Sequence, residues 1–138
     1  MSVRETLLAR PDIPDDEVDD IVAFAARRKD EDTACAGGAT EAEVAAMAEL
    51  LGAGLAAGAM GFSSTWSTTH NDAEGRPVPS RHAARSELIQ LCSVLVDFPG
   101  TGLEFLPGIG GPVDEESRQL LTDMSLAAGG RQLNWNVM

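Results

Sequence analysis

The chain has 138 residues, a hydrophobic fraction of 43% and a formal net charge of −12, which is enough length for one domain with a real core. Lys29 is the only lysine, and phosphate binding needs clustered Lys and Arg, so the balance argues against a nucleic-acid partner. No stretch approaches the roughly 18 apolar residues of a membrane span and no secretory signal is visible, so a soluble cytoplasmic setting without a membrane partner is expected.

In chain order, the first predicted element is a helix over residues 14–29. Pro14 suits its first position, and Asp15, Asp16 and Glu17 lie at the positive end of its dipole. Val18, Ile21, Val22 and Ala25 supply one apolar face. A charged, glycine-containing linker over 29–38 then separates an N-terminal helical segment, residues 1–38, from a second segment, 39–138. Thr40 with Glu43 forms a capping box that opens the next helix, with Val44, Met47, Ala48, Leu51 and Leu55 as its buried stripe and Gly58 as its stop. A strand is expected over 59–64.

A polar loop of roughly twenty residues follows, too long for a connector, so it is either a site loop or disordered. Leu88, Leu91, Cys92 and Leu95 repeat the helical spacing over about 84–96, and Pro99 and Gly100 break it. Residues 103–106 read as a strand. Asp114 then caps a helix that buries Leu120, Leu121, Met124 and Ala128, and a last strand is expected over 133–137. Strands alternating with helices imply an α/β fold with parallel strands. Three such strands leave two open edges, which suggests about three β/α units of a larger barrel or sheet.

The chemistry gathers after the first strand, because loops at the carboxyl ends of parallel strands hold substrate-binding groups. His70, beside Asn71 and Asp72, could ligate metal, move a proton or bind a substrate carboxylate; the alternative is a solvent-exposed loop histidine. Ser63 and Ser64 leave the strand without a G-x-S-x-G context, so they hold polar atoms rather than act as nucleophiles. His82, near a helix start, reads as structural. Two histidines and two cysteines, Cys35 and Cys92, do not make a zinc site by spacing. Cys92 reads as a small core residue. Glu104 and Asn134 interrupt apolar strands and must be paired or face a site, with Trp135 and Asn136 continuing the last strand towards a pocket mouth. The turn Gly108-Ile109-Gly110-Gly111 departs from phosphate-loop spacing and reads as facing a site.

The stretches ATEAEVAAMAELL, GAGLAAGAMGFSS, THNDAEGRPVPSR and SLAAGGRQLNWNVM resemble the branch of amidohydrolase family 3 that includes N-acyl-D-amino-acid deacylases (D-aminoacylases). The resemblance runs from about residue 39 to 138. It implies a metal-dependent hydrolase of non-peptide C–N bonds on a (β/α)8 TIM-like barrel, with a small-molecule N-acyl amino acid or amide as substrate. Ser63, Ser64, His70, Asn71 and Asp72 would then bind substrate. The family's divalent metal, zinc, is held by an H-x-H and later histidines that do not occur here, so no metal ligand and no catalytic residue carries over. The expectation is a portion of such an enzyme, inactive alone. The other expectation is a non-catalytic α/β module acting through self-association or a protein partner.

Overall fold

In a computed structural model of the chain, residues 38–108 and 113–135 are described. They fall within one unit, Gly38–Met138. The expected helix at 14–29, the linker with Cys35, positions 109–111 of the glycine turn, and Asn136 with the end of the last strand lie outside the described residues.

Helix α1 spans Glu41–Ala56 and starts on the capping box read from the sequence. The Thr40 hydroxyl accepts the Glu43 amide at 3.3 Å, and the Glu43 carboxylate accepts the Thr40 amide at 2.7 Å, so two otherwise orphaned amides are satisfied. The helix ends where Gly58 takes φ +99°, a conformation that a side chain would strain. Val44 and Leu55 are buried; Met47, Ala48 and Leu51 are only half-buried.

Strand β1 is Gly61–Thr65, β2 is Gly102–Leu106 and β3 is Leu133–Trp135. They form a three-stranded sheet in the order β1-β2-β3, parallel at both junctions. Helix α2, Arg85–Val94, follows a 3-10 turn at Pro79–His82 and runs into another at Leu95–Asp97. Helix α3, Glu115–Ala127, is capped by Asp114, whose carboxylate accepts the Ser117 amide at 2.8 Å. The observed architecture is therefore α/β with parallel strands alternating with helices. Among the described residues no helix is long and apolar enough to cross a membrane.

The core lies between one face of the sheet and the helices. Leu103 and Phe105 of β2 pack with Leu88, Cys92 and Leu95 from α2 and the turn after it, and with Leu120, Met124 and Ala128 of the α3 region. Phe105, Leu88, Leu95, Leu120 and Met124 are fully buried, each contributing about 1.5–3 kcal/mol through lost apolar exposure. Cys92 is wholly buried among them, and burial pushes its thiol up to about 12, as a core residue rather than a reactive one requires.

Two polar ties hold this layer. Arg85 pairs with Asp123 between α2 and α3. Arg131, just before β3, donates to the carbonyls of Leu95, Phe98 and Thr101, so one guanidinium collects the chain ends left where α2 stops and β2 begins.

Candidate substrate cleft at the strand ends

Side chains alternate along a strand, so residues paired in register share a face. Leu103 and Phe105 belong to the core, which sends Glu104 to the opposite face. Ser63 of β1 pairs with Glu104, and Glu104 pairs with Asn134 of β3. Ser63, Glu104 and Asn134 therefore form a polar row across the three strands, on the face away from the helices. The interrupting polar residues of the sequence thus face outward from the core. Trp135 pairs with Phe105 on the other face and does not join the row.

The loop after β1 is built rather than disordered. The Thr65 hydroxyl donates to the Leu106 carbonyl at 3.3 Å and accepts the Ser67 amide at 2.9 Å, joining the loop's start to the end of β2. Ser67 is fully buried, with its hydroxyl 2.8 Å from that of Thr69. The Trp66 indole N–H donates to the Ala83 carbonyl at 3.2 Å, and its ring meets Phe105 edge-on at 5.7 Å. Beyond Thr69 the chain doubles back. Asn71 and Pro77 form an antiparallel bridge, and the Asp72 amide donates to the Arg76 carbonyl at 2.8 Å.

That doubling back brings His70 and Ser80 over the strand ends. They close a cleft of about 440 Å³ whose floor is Ser63, Ser64 and Thr65 of β1 with Glu104 and Leu106 of β2. A volume of this order suits a small molecule, within the roughly 300–1,000 Å³ usual for ligand pockets. Its polar lining residues are Ser63, Ser64, Thr65, His70, Ser80 and Glu104, of which Ser63 and Glu104 share the outward face while Ser64 is paired with Phe105 on the core face. Serine hydroxyls both donate and accept, whereas an ionised carboxylate only accepts.

The five residues expected to bind substrate divide between two jobs. Ser63, Ser64 and His70 line the cleft. Asn71 and Asp72 shape the loop instead. The Asn71 side-chain oxygen accepts from Arg81 at 2.7 Å. The Asp72 carboxylate accepts the amides of Glu74 and Arg76, each at 2.9 Å, and the Arg76 Nε at 2.9 Å. The Arg76 amide, followed by its guanidinium, holds the Asp72 carboxyl below the usual carboxylate range. His82 is exposed at the end of its 3-10 turn.

Ser80 and Glu104 complete the cleft, and Ser80 is the one the sequence reading passed over. Its signal lies in Pro77-Val78-Pro79: Pro79 opens the 3-10 turn, fixing the backbone that returns Ser80 to the strand ends. Among the described residues no group of three or more His, Cys, Asp or Glu could hold a metal ion. The donor set does not fit a catalytic zinc, which needs about three protein ligands. Compared with protein-family models, curated proteins and solved structures, the chain matches none.

Proposed function

We propose that this unit binds the amide substrate of a metal-dependent amidohydrolase acting on non-peptide C–N bonds, as part of a (β/α)8-type barrel. The observation that carries the reading is the cleft at the carboxyl ends of β1 and β2, where His70 and Ser80 cover a floor of hydroxyls and Glu104. An amide offers one carbonyl acceptor and one N–H donor, and the hydroxyls of Ser63 and Ser80 can answer either. The resemblance supplies the reaction class, with N-acyl-D-amino acids as its implied example.

In this reading the residues bind and orient; none of them is assigned the bond-breaking step. The imidazole of His70 can donate to or accept from the acyl group at the cleft mouth. The chain alone then hydrolyses N-acyl amino acids at background rate and binds zinc no tighter than about micromolar, because fewer than three ligands converge. Calorimetric titration with zinc and an assay for released amino acid check both statements.

The binding claim has a direct test. Titrating labelled protein with neutral N-butylacetamide should shift the amide resonances of Ser63, Ser64, His70, Ser80 and Glu104 together and saturably. Shifts scattered elsewhere, or none at millimolar ligand, would remove the reading.

A second reading is association with another copy along the sheet edges. It is favoured by Met60, 88% exposed at the start of β1, and Trp135, 47% exposed on β3, since open edges with apolar neighbours invite pairing. Light scattering coupled to size exclusion decides it: a monomer at all concentrations ends this alternative.

A further inference from the structure

We propose that Arg81 is a positioning residue: it seats His70 over the cleft and sets its spacing to Ser80, so that ligand affinity depends on a side chain outside the cleft lining. The inference rests on reading the cleft as an amide site and adds the group that holds its cover in place.

The two cover residues are held very differently. Ser80 belongs to the 3-10 turn Pro79–His82, which has a firm base. The Arg81 amide donates to the Val78 carbonyl at 3.0 Å and the Ala83 amide to the Ser80 carbonyl at 3.2 Å. Ala83 is itself buried, and its carbonyl takes the Trp66 indole N–H. His70 is exposed on the far limb of the loop. Its amide donates to the Ser67 carbonyl at 3.1 Å, and its carbonyl accepts the Val78 amide at 3.4 Å, a length at which a hydrogen bond is weak. A side chain is placed no better than the backbone that carries it.

Arg81 joins the two limbs. From the turn that carries Ser80, one terminal nitrogen donates to the Asn71 side-chain oxygen at 2.7 Å and to the His70 carbonyl at 3.4 Å. The shorter bond is charge-assisted, the stronger kind, and both acceptors belong to the pair His70-Asn71. The guanidinium therefore grips the loop at the residue that covers the cleft. It does so through a single nitrogen rather than the flat fork, so an ammonium with three N–H donors can make the same two bonds. An imidazole already seated spares the ligand the cost of ordering the loop. Loss of Arg81 should then appear as weaker binding with the fold retained.

Heteronuclear NOE measurements on the isotope-labelled full chain, with titration by N-butylacetamide, test this. Arg81→Met keeps the apolar stem and removes the donors. It should lower the NOE at the His70 and Asn71 amides, leave Trp66 and Ser67 unchanged, and weaken binding at least about threefold. Arg81→Lys should keep the NOE and hold the affinity within about twofold. In a His70→Ala background Arg81→Met should cost no further affinity, because Arg81 acts through His70. An equal loss with and without His70 overturns the positioning role while leaving amide binding in place. An unchanged NOE at His70 in Arg81→Met also overturns it. Absence of saturable binding by the unmodified protein removes the amide reading, and the NOE comparison alone then upholds or overturns the seating of His70. Should Arg81→Met fail to fold, Asn71→Ala removes the acceptor of the shorter bond and must give the same losses; behaviour like the unmodified protein overturns the proposal.

Discussion

Arg85, in the first turn of α2, clasps Asp123 across the helix interface, and Gln119 donates to the same carboxylate from one turn earlier in α3. Arg85 foremost, then Gln119, holds the Asp123 carboxyl below its ordinary value of 3.8. With the folded value lowered, the unfolded chain binds more protons in acid. The stabilisation is therefore present above about pH 4 and is lost as pH falls through the folded value. Asp123→Asn should lower the urea midpoint at pH 7, modestly because the pair is about one-third exposed. The two midpoints should converge below pH 3.8. Equal midpoints at pH 7 would mean the clasp contributes nothing.

The start of α1 depends on a single hydroxyl. Thr40→Ala removes the acceptor for the Glu43 amide and should cost about 1 kcal/mol, while Thr40→Asn should cost much less. Urea denaturation followed by circular dichroism measures both. A loss in Thr40→Asn as large as in Thr40→Ala would show that the cap is not the cause.

Gly61 lies against Gly102 where β1 and β2 begin to pair. A Cβ built on Gly61 would stand 2.1 Å from the Gly102 carbonyl oxygen, a clash only backbone movement relieves. Gly61→Ala should therefore abolish or severely weaken cooperative unfolding, whereas Gly54→Ala, where a Cβ meets nothing within 4 Å, should leave the fold intact and add slightly to helix stability. Comparable melts for the two variants would contradict the close strand approach.

Cys92 supplies a chemical probe of the core. In a Cys35→Ser background its thiol should not react with an aromatic disulfide reagent at neutral pH until the chain unfolds, since only the thiolate attacks and burial keeps it protonated. Raising the pH should erode stability between the ordinary value of 9.0 and about 12, because unfolding releases a proton there. Immediate reaction in the native state would show that the α2–sheet layer opens.

Much of this fold was legible because its signals are local. Thr40 with Glu43, Asp114 before α3 and Gly58 after α1 each act within one turn, and the apolar spacing of Leu88, Leu91, Cys92 and Leu95 matches the helix they form. The boundaries were less legible: β1 begins two residues later than its apolar run, at Gly61, because the Ala59 amide is still held by the Gly54 carbonyl of α1. The site was only half legible. His70, Ser63 and Ser64 share the cleft as expected from a loop at a strand end, yet Asn71 and Asp72, chemically the richest neighbours, spend their oxygens on Arg81, Arg76 and loop amides. Their role is set by residues four to ten positions further on. Glu104 stood out in the sequence as a polar interruption of an apolar strand, but its neighbour Ser63 lies 41 positions away and is brought beside it only by strand register.

The contact between Trp66, Phe105 and the Ala83 carbonyl also gives the protein an optical signal of its own. The chain has two tryptophans. Trp135 is 47% exposed and should be quenched readily by acrylamide, whereas the Trp66 indole is pinned between the end of β1 and the start of α2. Emission from a Trp135→Phe protein would thus report one event, the seating of the long loop on the sheet, and could follow its assembly without any attached dye.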